Sequence, residues 1–142
     1  MSVAAGYLLD TNLISETRKI RADAGVMAFL AAADTAGLFL SVRTLGELRK
    51  GVEAKRRTDS AMAARLEAWV DSIETTFADR VLPVDAAAGR LWGELSAGCS
   101  LPVIDTLIAA TAITRGLTLV TRNTRYVAAT GVPLLDPWQG GS

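Results

Sequence analysis

Short apolar runs without polar alternation recur along this chain, and the first of them stops abruptly at an acid, in Gly-Tyr-Leu-Leu-Asp-Thr-Asn at residues 6–12. Runs of about 4 to 8 apolar residues are typical of strands that are buried on both faces, as in the middle of a parallel sheet. Pro83 lacks an N–H, so the predicted strand that contains it is expected near the sheet edge. The pattern predicts strands at residues 6–9, 38–41, 80–84, 117–121 and 132–135.

Between these runs, apolar residues recur at spacings of 3 and 4, which predicts helices. Leu45, Leu48 and Val52 mark such a helix directly after the second strand. Asp85 is a natural N-cap, and Gly37, Gly98 and Gly116 stand where helices should end. The other helices are predicted at residues 13–19, 24–34, 61–77, 86–97, 103–115 and 126–130. The segment 103–115 is apolar nearly all round and is therefore expected to be buried.

Strands that alternate with helices imply right-handed crossovers and a mainly parallel sheet covered on both faces. The predicted fold class is α/β: a three-layer α/β/α arrangement around a central sheet of about five short strands. At 142 residues the chain is expected to form one domain, 1–142, with a flexible tail at about 139–142. No Gly-x-Gly-x-x-Gly follows the first strand and no Gly-rich loop ends in Gly-Lys-Ser/Thr, so dinucleotide and nucleoside-triphosphate binding lose their usual support.

Charge and composition narrow the chemistry further. Fifteen basic and fifteen acidic residues cancel, so no global field attracts nucleic acid, although the segment 43–57 holds six bases against two acids. Those bases suit phosphate contacts and equally suit a solvated helix face. The absence of histidine excludes imidazole catalysis, and the single Cys99 excludes an internal disulfide. No apolar run reaches about 18 residues, so a cytoplasmic protein with no membrane segment is expected.

Three acids occupy comparable places and can all face one end of the predicted sheet. Asp10 ends the first strand, Glu47 lies early in the helix after the second, and Asp105 lies in the first turn of the helix 103–115. Each could be structural by itself, since acids cap helices and favour their first turns. Carboxylates gathered within about 4 to 6 Å repel one another unless a cation lies between them. Oxygen ligands suit Mg²⁺ or Mn²⁺, so the sequence predicts a hard divalent cation at this end of the sheet.

Four segments in this order resemble the PIN-domain ribonucleases, and most closely the VapC-type toxins of bacterial toxin-antitoxin pairs, including their FitB-like branch. They are Tyr-Leu-Leu-Asp-Thr-Asn at 7–12, Leu-Gly-Glu-Leu at 45–48, the run from Asp105 to Ala112, and Leu-Val-Thr-Arg-Asn at 119–123. The resemblance spans nearly the whole chain. It implies a Mg²⁺- or Mn²⁺-dependent endoribonuclease that hydrolyses RNA phosphodiester bonds. It also implies a homodimer, and a small cognate antitoxin that wraps the toxin and obstructs its active site.

If the residues in these motifs have the same roles as in the family, the metal-binding and catalytic acids would be Asp10, Glu47 and Asp105. Supporting hydrogen bonds would come from Thr11, Asn12, Thr121 and Asn123. The chain departs from the family at Asn123 and Tyr126, because the family often has acids at these positions. An amide brings no charge, so a second metal would be held weakly or only with substrate present. Possible contacts to the RNA backbone are Arg43, Arg49, Lys50, Arg122 and Arg125.

Two other functions stay open at this level. The same fold with a degenerate site would bind RNA or an antitoxin without hydrolysis, and Asn123 and Tyr126 motivate that alternative. A metal-dependent phosphatase for small molecules is a further possibility, but the lack of a Gly-rich phosphate loop counts against it.

Overall fold

Five parallel strands form a single sheet in the computed structural model, which describes residues 6–98 and 100–140. The strands are β1 (Gly6–Leu9), β2 (Leu38–Ser41), β3 (Val81–Leu82), β4 (Leu117–Val120) and β5 (Leu134–Leu135). Their order across the sheet is β3-β2-β1-β4-β5, and every neighbouring pair is parallel. This confirms the predicted central sheet of about five short strands, and β3, which precedes Pro83, lies at an edge.

Helices connect the strands. They are α1 (Thr11–Glu16), α2 (Ala24–Ala32), α3 (Val42–Arg56), α4 (Ser60–Thr76), α5 (Ala86–Ser96), α6 (Val103–Thr114) and α7 (Pro137–Gly140), with 3-10 turns at Thr35–Gly37, Thr124–Tyr126 and Ala128–Thr130. Short polar side chains cap five helix starts by accepting backbone N–H groups; they belong to Asp10, Asp23, Ser41, Asp59 and Asp85. The caps satisfy donors that a helix leaves unpaired, which is why the chain enters its helices at these residues.

Two predicted helices have shifted boundaries. The helix expected at 13–19 begins at Thr11, because Asp10 caps it, and ends at Glu16. The helix expected at 24–34 ends at Ala32, because the side chain of Asp34 accepts the N–H of Ala36 at 3.1 Å and begins a separate 3-10 turn. Local side-chain hydrogen bonds therefore decide both boundaries.

Three further elements are shorter or less regular than expected. The strand predicted at 132–135 spans only Leu134–Leu135. The strand predicted at 80–84 pairs only over Val81–Leu82, since Pro83 has no N–H to extend the pairing. The helix predicted at 126–130 is a pair of 3-10 turns that ends at Gly131, whose φ of 78° is left-handed. Cys99, and residues 141–142 of the expected flexible tail, lie outside the described ranges.

Apolar side chains fill both faces of the sheet. In β1, Leu9 packs in a core with α1, α2, α3 and α4, whereas Leu8 packs against α6 on the other face. Six residues of α6 are buried, in agreement with its all-round apolar sequence. They are Thr106, Ile108, Ala109, Ala110, Thr111 and Ala112. Full burial of each leucine contributes about 1.5 to 3 kcal/mol. The three-layer arrangement follows from these two cores.

The order of connections creates a crevice at one end of the sheet. From β1 the chain moves outward to β2 and β3 and then returns to β4 on the other side of β1. Ligands in open α/β sheets bind where the connections diverge in this way, beyond the carboxyl ends of the strands. The N–H of Asp10 donates to the carbonyl of Val120 at 2.9 Å, so the ends of β1 and β4 are held side by side at this point. Within the described residues, no helix is long and apolar enough to cross a membrane.

Candidate active site

Asp10 lies at the carboxyl end of β1, where both oxygens of its carboxylate are held. One oxygen accepts the N–H of Thr11 at 2.8 Å and caps α1, and the other accepts the hydroxyl of Thr121 at 2.7 Å. Thr121 follows β4 directly and is 2% exposed. Asp10 therefore caps α1 and faces the crevice at the same time, because the capping hydrogen bond directs its other oxygen towards β4.

Glu47 reaches the same crevice from the second turn of α3. The hydroxyl of Thr11 lies 2.5 Å from one oxygen of Glu47 and 3.1 Å from the hydroxyl of the buried Thr44. Thr11 thus links the start of α1 to α3. Thr11 was predicted to support the site, but Thr44 was not. The sequence feature that could have indicated Thr44 is its polar side chain in the otherwise apolar stripe of α3.

Asp105 lies in the first turn of α6 and meets a cation rather than another acid. The guanidinium of Arg43 contacts Asp105 Oδ1 at 2.5 Å through one terminal nitrogen and Glu47 Oε1 at 3.1 Å through Nε. Burial by itself lowers the pKa of Arg43, but its hydrogen bond to Asp105 and the charges of Glu47, Asp105 and Asp10 raise that pKa above its usual value. Arg43 is therefore a fixed positive charge between two of the predicted ligands.

Two cavities adjoin the acids. A narrow one of about 10 Å³ is lined by Asp10, Arg43, Asp105, Thr121 and Asn123 among others. An open one of about 350 Å³ extends from it past Glu47, and is lined also by Asn12 and Ser15. The narrow cavity has room for about one water molecule, whereas the open one can take part of a larger ligand.

Asn12 and Asn123 both line the crevice. The Oδ1 atom of Asn12 is buried and has no hydrogen-bond partner among the described residues. It offers an acceptor that a water or a substrate hydroxyl can satisfy. Asn123 donates its backbone N–H to the Thr121 hydroxyl at 3.1 Å, and its exposed side chain lines both cavities.

The three predicted acids do not form one cluster in this arrangement. Within residues 6–98 and 100–140, no three acidic, histidine or cysteine side chains lie close enough together to hold one metal ion. The physical reason is Arg43, whose guanidinium lies between Glu47 and Asp105 and balances their charge. The donor set nonetheless fits a hard divalent cation, since carboxylate and amide oxygens with an unpaired buried acceptor surround one crevice. The fit requires Arg43 to release Asp105.

The five predicted backbone-contact cations divide into two groups. Arg49 is turned away to α4, where it pairs with Asp71 at 2.7 Å and Glu74 at 2.9 Å, and Arg43 is held between the acids. The remaining three are exposed: Lys50, Arg122 and Arg125. Arg122 lies 5.4 Å from the ring centroid of Trp138, and Arg125 donates to the hydroxyl of Tyr126 at 2.9 Å. The structure therefore leaves three of the five available at the surface for phosphate.

Comparisons with known proteins agree with this geometry. Residues 7–132 match the model of the PIN domain family. VapC ribonuclease Y4jK of Sinorhizobium fredii is 38% identical over 141 residues, which cover 93% of this chain and 97% of that protein. Toxin FitB of Neisseria gonorrhoeae is 33% identical over 92% of this chain and 97% of its own length. The crystal structure of FitAcB from Neisseria gonorrhoeae superposes with a TM-score of 0.85 at 32% identity, and the match covers 93% of this chain and 98% of that one. The chain therefore belongs to the PIN domain family.

Proposed function

We propose that this protein is a Mg²⁺- or Mn²⁺-dependent endoribonuclease that acts as the toxin of a type II toxin-antitoxin pair. The observation that carries the proposal is the crevice beyond β1 and β4, where Asp10, Glu47 and Asp105 line adjoining cavities and hydroxyl groups hold two of the three carboxylates. Relatives that match over more than nine-tenths of the chain are named as a ribonuclease and as a toxin, which supports the same function.

Each acid has a distinct role in the proposal. Asp10 and Asp105 would bind one divalent cation from the ends of β1 and α6, while Glu47 would ligate it or orient the attacking water. Thr121 and Thr11 hold the carboxylates of Asp10 and Glu47 at 2.7 Å and 2.5 Å, so their rotamers are set before a metal binds. When bound, the cation supplies Lewis acidity that offsets the charge developing on the phosphoryl group.

The reaction is a hydrolysis that needs neither histidine nor the ribose 2′-hydroxyl. Water attacks phosphorus in line with the 3′ oxygen, the P–O3′ bond breaks, and the proton lost by the water is balanced by protonation of the departing 3′ oxygen. The products are a 5′-phosphate and a free 3′-hydroxyl. The exposed Lys50, Arg122 and Arg125 would hold the RNA backbone, and contacts of this kind position the substrate without reading its sequence.

The resemblance to toxins of toxin-antitoxin pairs also supports the proposed partners. We infer a homodimer and a small cognate antitoxin that obstructs the crevice, with both proteins in the cytoplasm, where the RNA substrate is found. We also propose that residues 1–142 form one domain.

A second function, RNA or antitoxin binding without hydrolysis, is favoured by one specific observation. Asn123 stands where the family often has an acid, and Arg43 provides the positive charge that a catalytic site would take from a metal. In that case the acids and Arg43 would be a structural ion-pair network, and added divalent cations would produce no binding heat at pH 7.

RNA cleavage tests the proposal directly. Purified protein free of antitoxin is incubated with a tRNA pool and several other RNAs in Mg²⁺, in Mn²⁺ and in EDTA, beside Asp105→Asn and the matched control Asp79→Asn. Asp79 is an exposed acid whose ion pair is with Arg80, so its replacement removes the same charge outside the crevice. We expect metal-dependent fragments with 5′-phosphate ends from the wild type and from Asp79→Asn.

Asp105→Asn is expected to lose cleavage while its circular dichroism and melting temperature stay close to those of the wild type. Cleavage by Asp105→Asn with unchanged metal dependence would refute the assignment of the acids. If the folded wild type cut no RNA under any condition, the binding function would replace the nuclease.

A further inference from the structure

Arg43 is placed to do more than hold an RNA phosphate. Its guanidinium contacts Asp105 and Glu47 together, and it lines both the narrow cavity and the open one. The side chain is 26% exposed, less than either carboxylate that it contacts, at 42% for Glu47 and 32% for Asp105. Arg43 therefore lies inside the site, less accessible to solvent than either acid that it contacts.

We propose that Arg43 is an internal cation that closes the metal position between Asp10 and Asp105, competes with the divalent cation for Asp105, and turns to the substrate phosphate once the metal has replaced it. This inference rests on the proposed metal-dependent function and concerns the order in which the site fills.

The size of the narrow cavity supports the competition. The narrow cavity, which Asp10, Arg43 and Asp105 line together with five other residues, is about 10 Å³. This is enough for about one water and too little for a divalent cation with the waters that Mg²⁺ keeps. Because Arg43 forms one wall, movement of its terminal nitrogens away from Asp105 enlarges this space. The positive charge of a guanidinium 2.5 Å from Asp105 Oδ1 also disfavours a second cation beside the same carboxylate.

The second contact of Arg43 defines where the side chain goes. Nε pairs with Glu47 one helical turn further along α3, at 3.1 Å, and this i,i+4 partner attracts the guanidinium towards α3 when it turns as a whole away from Asp105. The open cavity of about 350 Å³ lies on that side of the guanidinium. A guanidinium released into this cavity can donate two parallel hydrogen bonds to two oxygens of one phosphate. Metal and RNA phosphate would then assist each other's binding, because the metal frees the group that holds the phosphate.

Calorimetric titration of Mn²⁺ into RNA-free protein tests the competition without reference to activity. Four variants are compared with the wild type: Arg43→Gln, Arg43→Lys, Asp105→Asn and the control Arg49→Gln. Arg49 lies on the same helix and loses the same charge when replaced, but its partners are Asp71 and Glu74 on α4. A melting curve in EDTA for each variant establishes that it is folded.

If Arg43 competes for Asp105, Arg43→Gln binds Mn²⁺ at least about tenfold more tightly than the wild type, because the metal no longer displaces a charge-assisted hydrogen bond. Arg49→Gln, and Arg43→Lys with its retained charge, should stay within about threefold of the wild type. Tighter binding by Arg49→Gln to the same degree would show a general charge effect and overturn the inference.

The other outcomes are also decisive. Equal Mn²⁺ affinity for the wild type and Arg43→Gln, with binding lost in Asp105→Asn, would overturn the competition and leave the metal-dependent function standing. Weaker binding by Arg43→Gln would show that Arg43 supports the metal site instead of closing it. No Mn²⁺ binding by any variant would reject both the inference and the metal-dependent function.

Discussion

Thr121 illustrates how single residues set the chemistry of the crevice. It is 2% exposed, donates its hydroxyl to Asp10 at 2.7 Å, and accepts the N–H of Asn123 at 3.1 Å. One buried hydroxyl therefore orients an acid on β1 and fixes the backbone of the loop after β4. Hydrogen bonds of this kind to a metal-binding carboxylate tune its affinity as well as its direction.

Replacing Thr121 by Val keeps the shape of the side chain and removes only the hydroxyl. We expect Mn²⁺ affinity and RNA cleavage to fall about 10- to 100-fold, because Asp10 loses the group that orients it. Thr118→Val in the same strand serves as the matched control and should leave both quantities near wild type. Unchanged metal affinity in Thr121→Val would mean that the carboxylate of Asp10 needs no such support.

At the scale of elements, Glu16 joins the end of α1 to the start of α2. Its carboxylate is 6% exposed, accepts the N–H of Asp23 at 2.9 Å and pairs with Lys19 at 3.0 Å. The hydrogen bond from Lys19, followed by that from the Asp23 backbone, lowers the pKa of Glu16 below its usual value. Asp23 in turn caps α2 by accepting the N–H of Val26 at 3.0 Å. The ionised form of Glu16 thus stabilises the fold around the segment between the two helices.

The lowered pKa predicts a specific dependence of stability on pH. The contribution of Glu16 is fully present above its unfolded pKa of about 4.3 and is lost as the pH falls through its lower folded value. Glu16→Gln should therefore melt at a lower temperature than the wild type at pH 7, and the gap should narrow towards pH 3. Thermal melts over this range, with exposed Glu94→Gln as the control, check the prediction. A gap that stays constant with pH would contradict it.

Much of the element pattern could be predicted, because apolar runs and cap residues act locally. The strand at 38–41 and the start of α6 at Val103 were predicted to the residue. The errors arose where a side chain competes with the regular pattern, as Asp34 does by forming its own turn after α2. The length of β3 was overestimated, since its pairing stops after Leu82, where Pro83 offers no N–H and β2 has ended at Ser41.

The same limit applies to the candidate site. Asp10 and Thr121 could be predicted to meet, because both follow buried strands and parallel strands end at the same edge. The position of Arg43 could not, since its spacing of four from Glu47 suggests a helical ion pair but gives no sign of Asp105, which is 62 residues away in the chain. Whether an acid faces a metal or an arginine depends on rotamers that the chain order does not encode.

At the scale of the whole molecule, the net charge of zero means that RNA binding depends on local cations. Arg125 is exposed beside Tyr126, whereas Arg49 is held by acids on α4. In an Asp105→Asn background with EDTA, Arg125→Gln should reduce the slope of log affinity for single-stranded RNA against log salt by about 0.7. Arg49→Gln should leave the slope unchanged. A larger effect of Arg49 than of Arg125 on the slope would contradict the division of the cations.

The proposed RNA hydrolysis and the proposed role of Arg43 both depend on a divalent cation at the crevice beyond β1 and β4. The most direct measurement is a crystal structure grown with Mn²⁺, with data collected for anomalous scattering. The proposal predicts a manganese peak between the carboxylates of Asp10 and Asp105, with the guanidinium of Arg43 moved away from Asp105. A structure with ordered Asp10 and Asp105, Arg43 still between Glu47 and Asp105, and no manganese at this position would contradict it.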